Sequence, residues 1–334
     1  RLDQVGNSDG ALSNRNMVIN GAMQVAQRGT SVAGLSGANS YKTVDRYTTY
    51  ISSLGTWTQS QDTDAPSGFG HSLKMLCTTA DASPASTNRM LIQTKIEGQD
   101  VQSLDFGDTS NTYTVSFYVK SNVTGTYILE QYGDTASATS NNISTAYTVD
   151  TADTWERKTI TLNVDSGAMT ADNTSGLVLS FWLGTGSNYS SGTLNTSWSA
   201  PSAGDRAVGQ VNLASATSNY WQITGVQLEV GDTSTDFEHI SYGDQLQKCQ
   251  RYYQNNGLTS LDRIYTFQYH PSYKGLQYSY FCQMRAAPAI TRTNGGNTIT
   301  VESITNQKFF GYVASGVSDA TPHYLHTVSF DAEL

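Results

Sequence analysis

Four aromatic residues sit in or beside polar, turn-rich stretches of the chain: Trp57, Tyr132, Tyr189 and Trp198. An aromatic ring stacks on the apolar C–H face of a pyranose, and nearby Asn, Asp and Gln can fix the sugar hydroxyls. The four are therefore candidate saccharide contacts. Trp198 leads them, because nothing in "LNTSWSAPSAGD" offers it a strand core. The alternative reading of Trp198 is a ring that covers its own loop. Trp155, Trp182 and Trp221 lie in strand contexts and read as packing. Tyr265, Tyr269, Tyr273, Tyr278, Tyr280 and Tyr312 enrich the last part of the chain. Tyrosine gives wide contact area at small entropy cost, as binding surfaces use it. It is equally at home facing outward from a strand with no ligand.

The carboxylates point away from catalysis. They cluster in "QDTDAPSG", "DFGDTSN", "DTADTWE" and "GDTSTDFE". Asp in such turns hydrogen-bonds its own backbone. No G-x-S-x-G, H-E-x-x-H, P-loop or dinucleotide fingerprint occurs. The chain is read as non-enzymatic, with no catalytic residue assigned. A glycosidase needs only two carboxylates at a set separation, which a sequence does not display, so a depolymerase stays as an alternative. Asp62 with Asp64, and Asp105 with Asp108, do not match a calcium loop and read as solvated turns. Cys77, Cys249 and Cys282 form neither a disulfide framework nor a zinc spacing, and read as small buried hydrophobes. The five histidines add no metal motif; His323 and His326 would fall on opposite faces of a strand. No metal and no cofactor is expected.

These residues need a frame. The chain has 334 residues, only 14% of them charged, with a net charge of −9 and abundant Gly, Ser, Thr, Asn and Tyr. Aromatics at 10% argue against disorder. No basic stripe suits nucleic acid, and the acidic balance disfavours anionic membranes. No run approaches the roughly 18 apolar residues of a membrane span. Residues 1–16 are polar and lack the apolar core of a signal peptide or an initiator Met. They read as a linker arriving from something upstream.

From residue 17 to 240 the signals are short strands with period two. In "YTVSFYVK", Tyr113, Val115, Phe117 and Val119 share one face. "GLVLSFWLG" places Leu177, Leu179, Phe181 and Leu183 inward, and "RKTITLNV" places Ile160, Leu162 and Val164 inward. "IQTKIEGQDVQSL" reads as a short strand and a helical turn covering a sheet edge. Many short strands and almost no helix predict an all-β chain, an antiparallel jelly-roll or β-sandwich. Residues 241–257 then predict a connecting helix, with Tyr242, Leu246, Cys249 and Tyr253 in one apolar stripe. Residues 258–334 predict a smaller C-terminal β tip domain.

Two stretches bracket the larger domain. "NRNMVINGAMQVAQRGTSV" with "YKTVDRY" opens it, and "ITGVQLEVGDTSTDFEHISYGDQLQKCQRYYQ" closes it. Both resemble the bounds of a β-sandwich region found in bacteriophage tail fibre proteins. Between them, "YTVSFYVKSNVTGTY" and "DTWERKTITLNV" resemble inner strands of carbohydrate-binding-module-like jelly rolls. "CQMRAAPAIT" and the closing "DAEL" are similar to the small β domain that follows in such fibres. The resemblance implies a virion tail fibre part, extracellular at the host surface, that adheres to a host glycan or outer-membrane receptor. It implies other virion tail proteins upstream and usually a homotrimer. Leu246, Cys249 and Tyr253 are the candidate interface, packed against their copies; covering the sandwich edge within one chain is the other use of that stripe. Related sugar-binding jelly rolls often hold a calcium, but the corresponding positions here are Gln24, Thr224 and Gly225, so no calcium is carried over. The competing reading is a head fibre or decoration protein that makes only protein contacts.

Overall fold

The computed structural model describes residues 14–133, 141–255, 267–270, 273–280, 282–294, 299–314 and 325–334. It divides into two compact units, Arg1–Tyr242 and Gly243–Leu334.

The first unit runs β1 (Ser31–Tyr41), β2 (Tyr47–Asp62), β3 (Ser72–Thr79), β4 (Arg89–Glu97), β5 (Thr112–Ser121), β6 (Gly125–Gly133), β7 (Asn141–Val149), β8 (Glu156–Asn163), β9 (Ser175–Thr185) and β10 (Tyr220–Val230). The strands pair antiparallel in the order β7-β6-β9-β4-β2-β3-β10-β5-β8, with β1 also on β2. This is an all-β jelly roll, and β2 explains how one path makes two layers. Its first part, Tyr47–Ser52, pairs with β4, and its second, Thr56–Asp62, pairs with β3. Between them the backbone turns left-handed at Ser53 (φ 51°) and Gly55 (φ 65°). A Cβ at Gly55 would come within 2.6 Å of the Thr79 carbonyl oxygen, so glycine is required at the bend.

Alternation fills the space between the layers. Tyr113, Val115, Phe117 and Val119 of β5 are fully buried, as are Leu177, Leu179, Phe181 and Leu183 of β9. They share one core with Tyr127 and Leu129 of β6, Ile92 of β4, Trp221 and Ile223 of β10 and others. Phe117 meets Tyr147 and Phe181 edge-on, at 5.1 and 5.2 Å between ring centroids. Ile160 and Val164 are buried, whereas Leu162 is half-buried against the core. The stretch after β4 forms two 3₁₀ turns, Gly98–Asp100 and Gln102–Leu104, which bury Val101 and Leu104.

The two bracketing motifs meet. The Glu238 carboxylate accepts from the backbone N–H groups of Asn14 (2.5 Å) and Asn16 (2.9 Å). Asn16 Oδ1 accepts from Val18 N and Leu228 N, and its Nδ2 donates to the Val226 carbonyl. Gly21 lies so close to Val226 that a Cβ there would fall 2.1 Å from its carbonyl oxygen. Residues 14–16, expected to be linker, are therefore part of the jelly roll's closure. Residues 1–13 of the expected linker lie outside the described residues.

The second unit opens one residue inside α1 (Tyr242–Gln250) and continues as β11 (Tyr253–Asn255), β12 (Phe267–His270), β13 (Tyr273–Ser279), β14 (Ala289–Asn294), β15 (Ile299–Ile304), β16 (Lys308–Ala314) and β17 (Leu325–Asp331). Two antiparallel sheets form, β11-β17-β14 and β12-β13-β16-β15. The helix is shorter than the expected 241–257. It ends at Gln250 because the next residues are recruited by a strand: Tyr253 pairs with Asp331 and Asn255 with Ser329. Arg285 N donates to the Arg251 carbonyl and Ala332 N to that of Tyr252.

This corrects the expected interface. Cys249 and Tyr253 are already buried in the single chain, so neither is left to pack against a copy. Tyr252 is also buried, and Leu246 is half-buried. Tyr242, expected in the apolar stripe, is 57% exposed, while Gln245 is buried in its stead. Of the late tyrosines, Tyr280 is buried with its ring 4.8 Å from Phe330. Tyr265 and His323 lie outside the described residues.

Candidate functional site

The β7-β6-β9-β4-β2 layer has an outer face opposite the core, and register builds a site across it. Ile128 and Glu130 of β6 point outward, because Tyr127 and Leu129 fill the core. Glu130 lies opposite Ser180 of β9, which lies opposite Gln93 of β4. Gln93 Nε2 closes that row by donating to Ser180 Oγ at 2.8 Å. In the adjoining row Trp182 lies opposite Leu91, and Leu91 opposite Tyr50. Trp182, Leu91, Ile128 and Ala207 make a small apolar floor, with Tyr50, Tyr189 and Leu194 packed against it.

A loop crosses this floor and is bolted down by its backbone. Ala207 N donates to the Tyr189 carbonyl at 2.8 Å, and Ser144 Oγ of β7 donates to the Arg206 carbonyl at 2.7 Å. Arg206 reaches down to Glu130, whose side chain has no exposed surface. Its Nε donates to Oε1 at 2.7 Å and its Nη2 to Oε2 at 2.9 Å, the two-pronged geometry of strong guanidinium–carboxylate pairs. Asn142 Nδ2 donates to Oε1 (2.8 Å) and Trp182 Nε1 to Oε2 (2.9 Å). Four donors thus hold the buried charge, which is what makes its burial tolerable. Burial works against the charged Arg206 guanidinium, but the bond and the attraction to Glu130 outweigh it and hold its pKa above the ordinary value. Tyr132 titrates well above an ordinary phenol, first through burial and then through the nearby Glu130 charge.

The rings are organised by the cations. Arg206 lies over Tyr132, Trp182 and Tyr189, at 5.0, 5.2 and 5.9 Å from the ring centroids. Arg89, the first residue of β4, lies 4.5 Å from the Tyr50 centroid and 4.7 Å from that of Tyr189. The result is a cleft of about 340 Å³, lined by Tyr50, Arg89, Gln93, Lys95, Tyr132 and Arg206 among others.

The expected ring contacts divide. Tyr132 lines this cleft and Tyr189 lies at its rim, bound through Arg89 and Arg206. Trp198 lies in a separate cleft of about 450 Å³, with Thr161, Asn163, Asp165 and Thr196. Its Nε1 donates to the Asn163 carbonyl at 2.9 Å, and its ring meets Phe106 edge-on at 6.1 Å. Trp198 therefore covers its loop and still borders a cavity. Trp57 is a correction: it has no exposed surface and its Nε1 donates to the Leu54 carbonyl at 2.6 Å. A ring so enclosed offers no face to a sugar. Its polar sequence neighbours hid this, because Gln59 is buried beside the core as well.

Tyr50, Arg89, Glu130 and Arg206 were missed from the sequence. The Arg89, Leu91, Gln93, Lys95 alternation in "RMLIQTKIE" carried a readable signal, a strand face mixing charge with one apolar residue. Arg206 sits in a loop and carried none. The turn carboxylates behave as turns. Asp108 Oδ1 accepts from Ser110 N and Oγ, and Asp62 and Asp64 pair with Lys74 and Lys120. Among the described residues no group of three His, Cys, Asp or Glu could hold a metal ion, and the three cysteines form no disulfide. At Gln24, one of the positions where related jelly rolls would place a calcium ligand, Gln61 Nε2 donates to the backbone carbonyls of both Met23 (2.6 Å) and Gln24 (3.0 Å).

No protein-family model matches the sequence, and no curated protein matches it. Solved structures with a similar course of strands include the enzymatically active domain of tailspike protein 4 of bacteriophage CBA120, at 12% identity and a TM-score of 0.35. The match covers 64% of this chain but only 21% of that one. A family 22 carbohydrate-binding module of Clostridium thermocellum matches over 61% of this chain and 96% of its own, at 12% identity and a TM-score of 0.34. A sugar-binding protein assigned in Bacteroides thetaiotaomicron matches over 64% and 99%, at 9% identity and a TM-score of 0.34. Likeness this distant transfers no ligand and no activity. The strand pairing of this chain is what makes its first unit an antiparallel, all-β jelly roll.

Proposed function

We propose that this chain is a bacteriophage tail fibre part that adheres to the host cell surface by binding a glycan, without catalysis. The observation that carries the reading is the outer-face cleft, where Tyr50, Tyr132 and Tyr189 surround hydrogen-bonding side chains on a rigid sheet. Sheet-mounted rings are pre-organised, so little entropy is lost when a pyranose stacks on them. The resemblance of the bracketing motifs to tail fibre sequences supplies the setting: a virion part, outside the cell, joined to other tail proteins. The absence of catalysis is supported by Glu130, the acid nearest the cleft floor. Its two oxygens are occupied by four donors, which leaves it poorly placed to take or give a proton.

Three copies on a fibre, as the resemblance implies, would gain about 10²–10⁴ in avidity over one weak site. The burial of Cys249 and Tyr253 within the single chain argues for a contact surface elsewhere. The test is a glycan array probed with the intact chain and with Tyr132→Ala. Binding that falls at least tenfold in the variant, with unfolding temperature unchanged within a few degrees, supports the reading. No glycan bound by the wild-type chain, or release of sugar from host polysaccharide, overturns it. The mass of the intact chain in solution tests the trimer separately.

A further inference from the structure

The outer-face cleft is unusual for its charge. The chain carries a net −9, yet the cleft is lined by Arg89, Lys95 and Arg206, and no carboxylate is among its described lining residues. Glu130 lies beneath and compensates Arg206 through the two-pronged pair. Arg89 has no such compensation. Its Nη2 donates to the Tyr50 hydroxyl at 2.6 Å, and its Nε is buried with no hydrogen-bond partner. No ion pair to Arg89 occurs among the described residues.

A guanidinium held between two tyrosine rings keeps its orientation but loses much of its hydration. Leaving N–H donors unpaired there is costly, and a carboxylate is the acceptor that matches the planar fork. Of the neutral groups there, Gln93 already spends one amide N–H on Ser180, whereas the cations offer a carboxylate the stronger, charge-assisted bonds. We infer that the cleft between Arg89, Lys95 and Tyr132 takes an acidic saccharide, with a uronic-acid-type carboxylate on Arg89 and the ring face on tyrosine. This rests on the reading of the cleft as the glycan site and narrows it to a charge class. In an acidic protein, a local cationic cleft also selects such a ligand from neutral neighbours.

The experiment compares binding of an oligoglucuronate and the matching neutral oligoglucoside to the intact chain by calorimetry at low salt. The wild-type chain is expected to prefer the acidic ligand by at least about tenfold, weakening as salt rises. Arg89→Gln should abolish that preference, and Lys95→Gln should reduce it, keeping the test open if the first variant does not fold. Lys308→Gln, an exposed cation in the second unit, should leave it unchanged. Equal affinity for both ligands, or a preference that survives Arg89→Gln and Lys95→Gln, overturns the acidic class but leaves glycan binding standing. Binding to neither ligand, together with a blank glycan array, removes the glycan reading and this inference with it.

Discussion

The two clefts of the jelly roll use aromatic rings in opposite ways. In the outer-face cleft, Tyr50 and Tyr132 stand on strands, and Tyr189 is clamped between two guanidinium groups. In the other, Trp198 belongs to a loop and is fixed by one hydrogen bond to a backbone carbonyl and one ring edge. The first is a charged and braced surface whose geometry is inherited from sheet register. The second has no cation among its described lining residues, only the Asp165 carboxylate, and its main ring also seals the chain beneath it. A ring's visibility in sequence thus says little about its freedom to bind; what it is anchored to says more.

The largest expected effect tests the bracing. Arg206→Met removes the partner of a fully buried carboxylate, which costs about 3–5 kcal/mol. Denaturant unfolding should show that loss, and binding should fall with it. A cost under about 1 kcal/mol would mean that Asn142 and Trp182 alone hold Glu130, and the contrast with the Trp198 cleft would weaken.

Alkaline pH gives the next effect, from the core side of the same strand. Burial pushes the Tyr127 hydroxyl up to about 12, although its bond with Ser121 pulls the other way. A phenol raised in the folded state contributes stability that is complete below its unfolded pKa of about 10. That contribution is lost as pH rises through the folded value, because only the unfolded chain ionises easily. Unfolding free energy should therefore fall between about pH 10 and 12, by on the order of 2 kcal/mol for this group. Tyr127→Phe should flatten part of that fall. An unchanged slope would show that other groups govern it.

The smallest effect sharpens the comparison from the other side. Trp198→Ala should cost about 1–2 kcal/mol, less than the loss of a wholly enclosed ring, because Trp198 is only half-buried. Acidic-glycan affinity should stay within about twofold of the wild type. A larger drop in affinity would move the binding site from the braced cleft to the one that Trp198 borders.

Much of the fold was legible, and the reasons are local. The inward sets on β5 and β9 follow from strict alternation, which a two-sided strand makes plain. The helix was legible as an element but not in extent, because its last expected turn is claimed by pairing with β17, a partner some 75 residues away. At the site, Tyr132 and Tyr189 were singled out by type, whereas the cations that organise them were not. Arg206 reaches Glu130 from 76 positions away, and only the folded strand order brings them together. Trp57 failed because its polar neighbours suggested an exposed stretch, whereas it continues the inward set of Tyr47 and Ile51 along β2.

The bend in β2 has a further consequence for how the chain tolerates change. Since β2 serves both layers, the stretch Ser53–Gly55 separates two independent registers along one strand. Deleting a single residue there would leave the β4 partnership untouched and displace the β3 partnership by one step. Trp57 and Gln59 would swing toward solvent, and their neighbours inward. An insertion of the same size in a surface turn would be absorbed, so the three residues at the corner act as the molecule's phase marker.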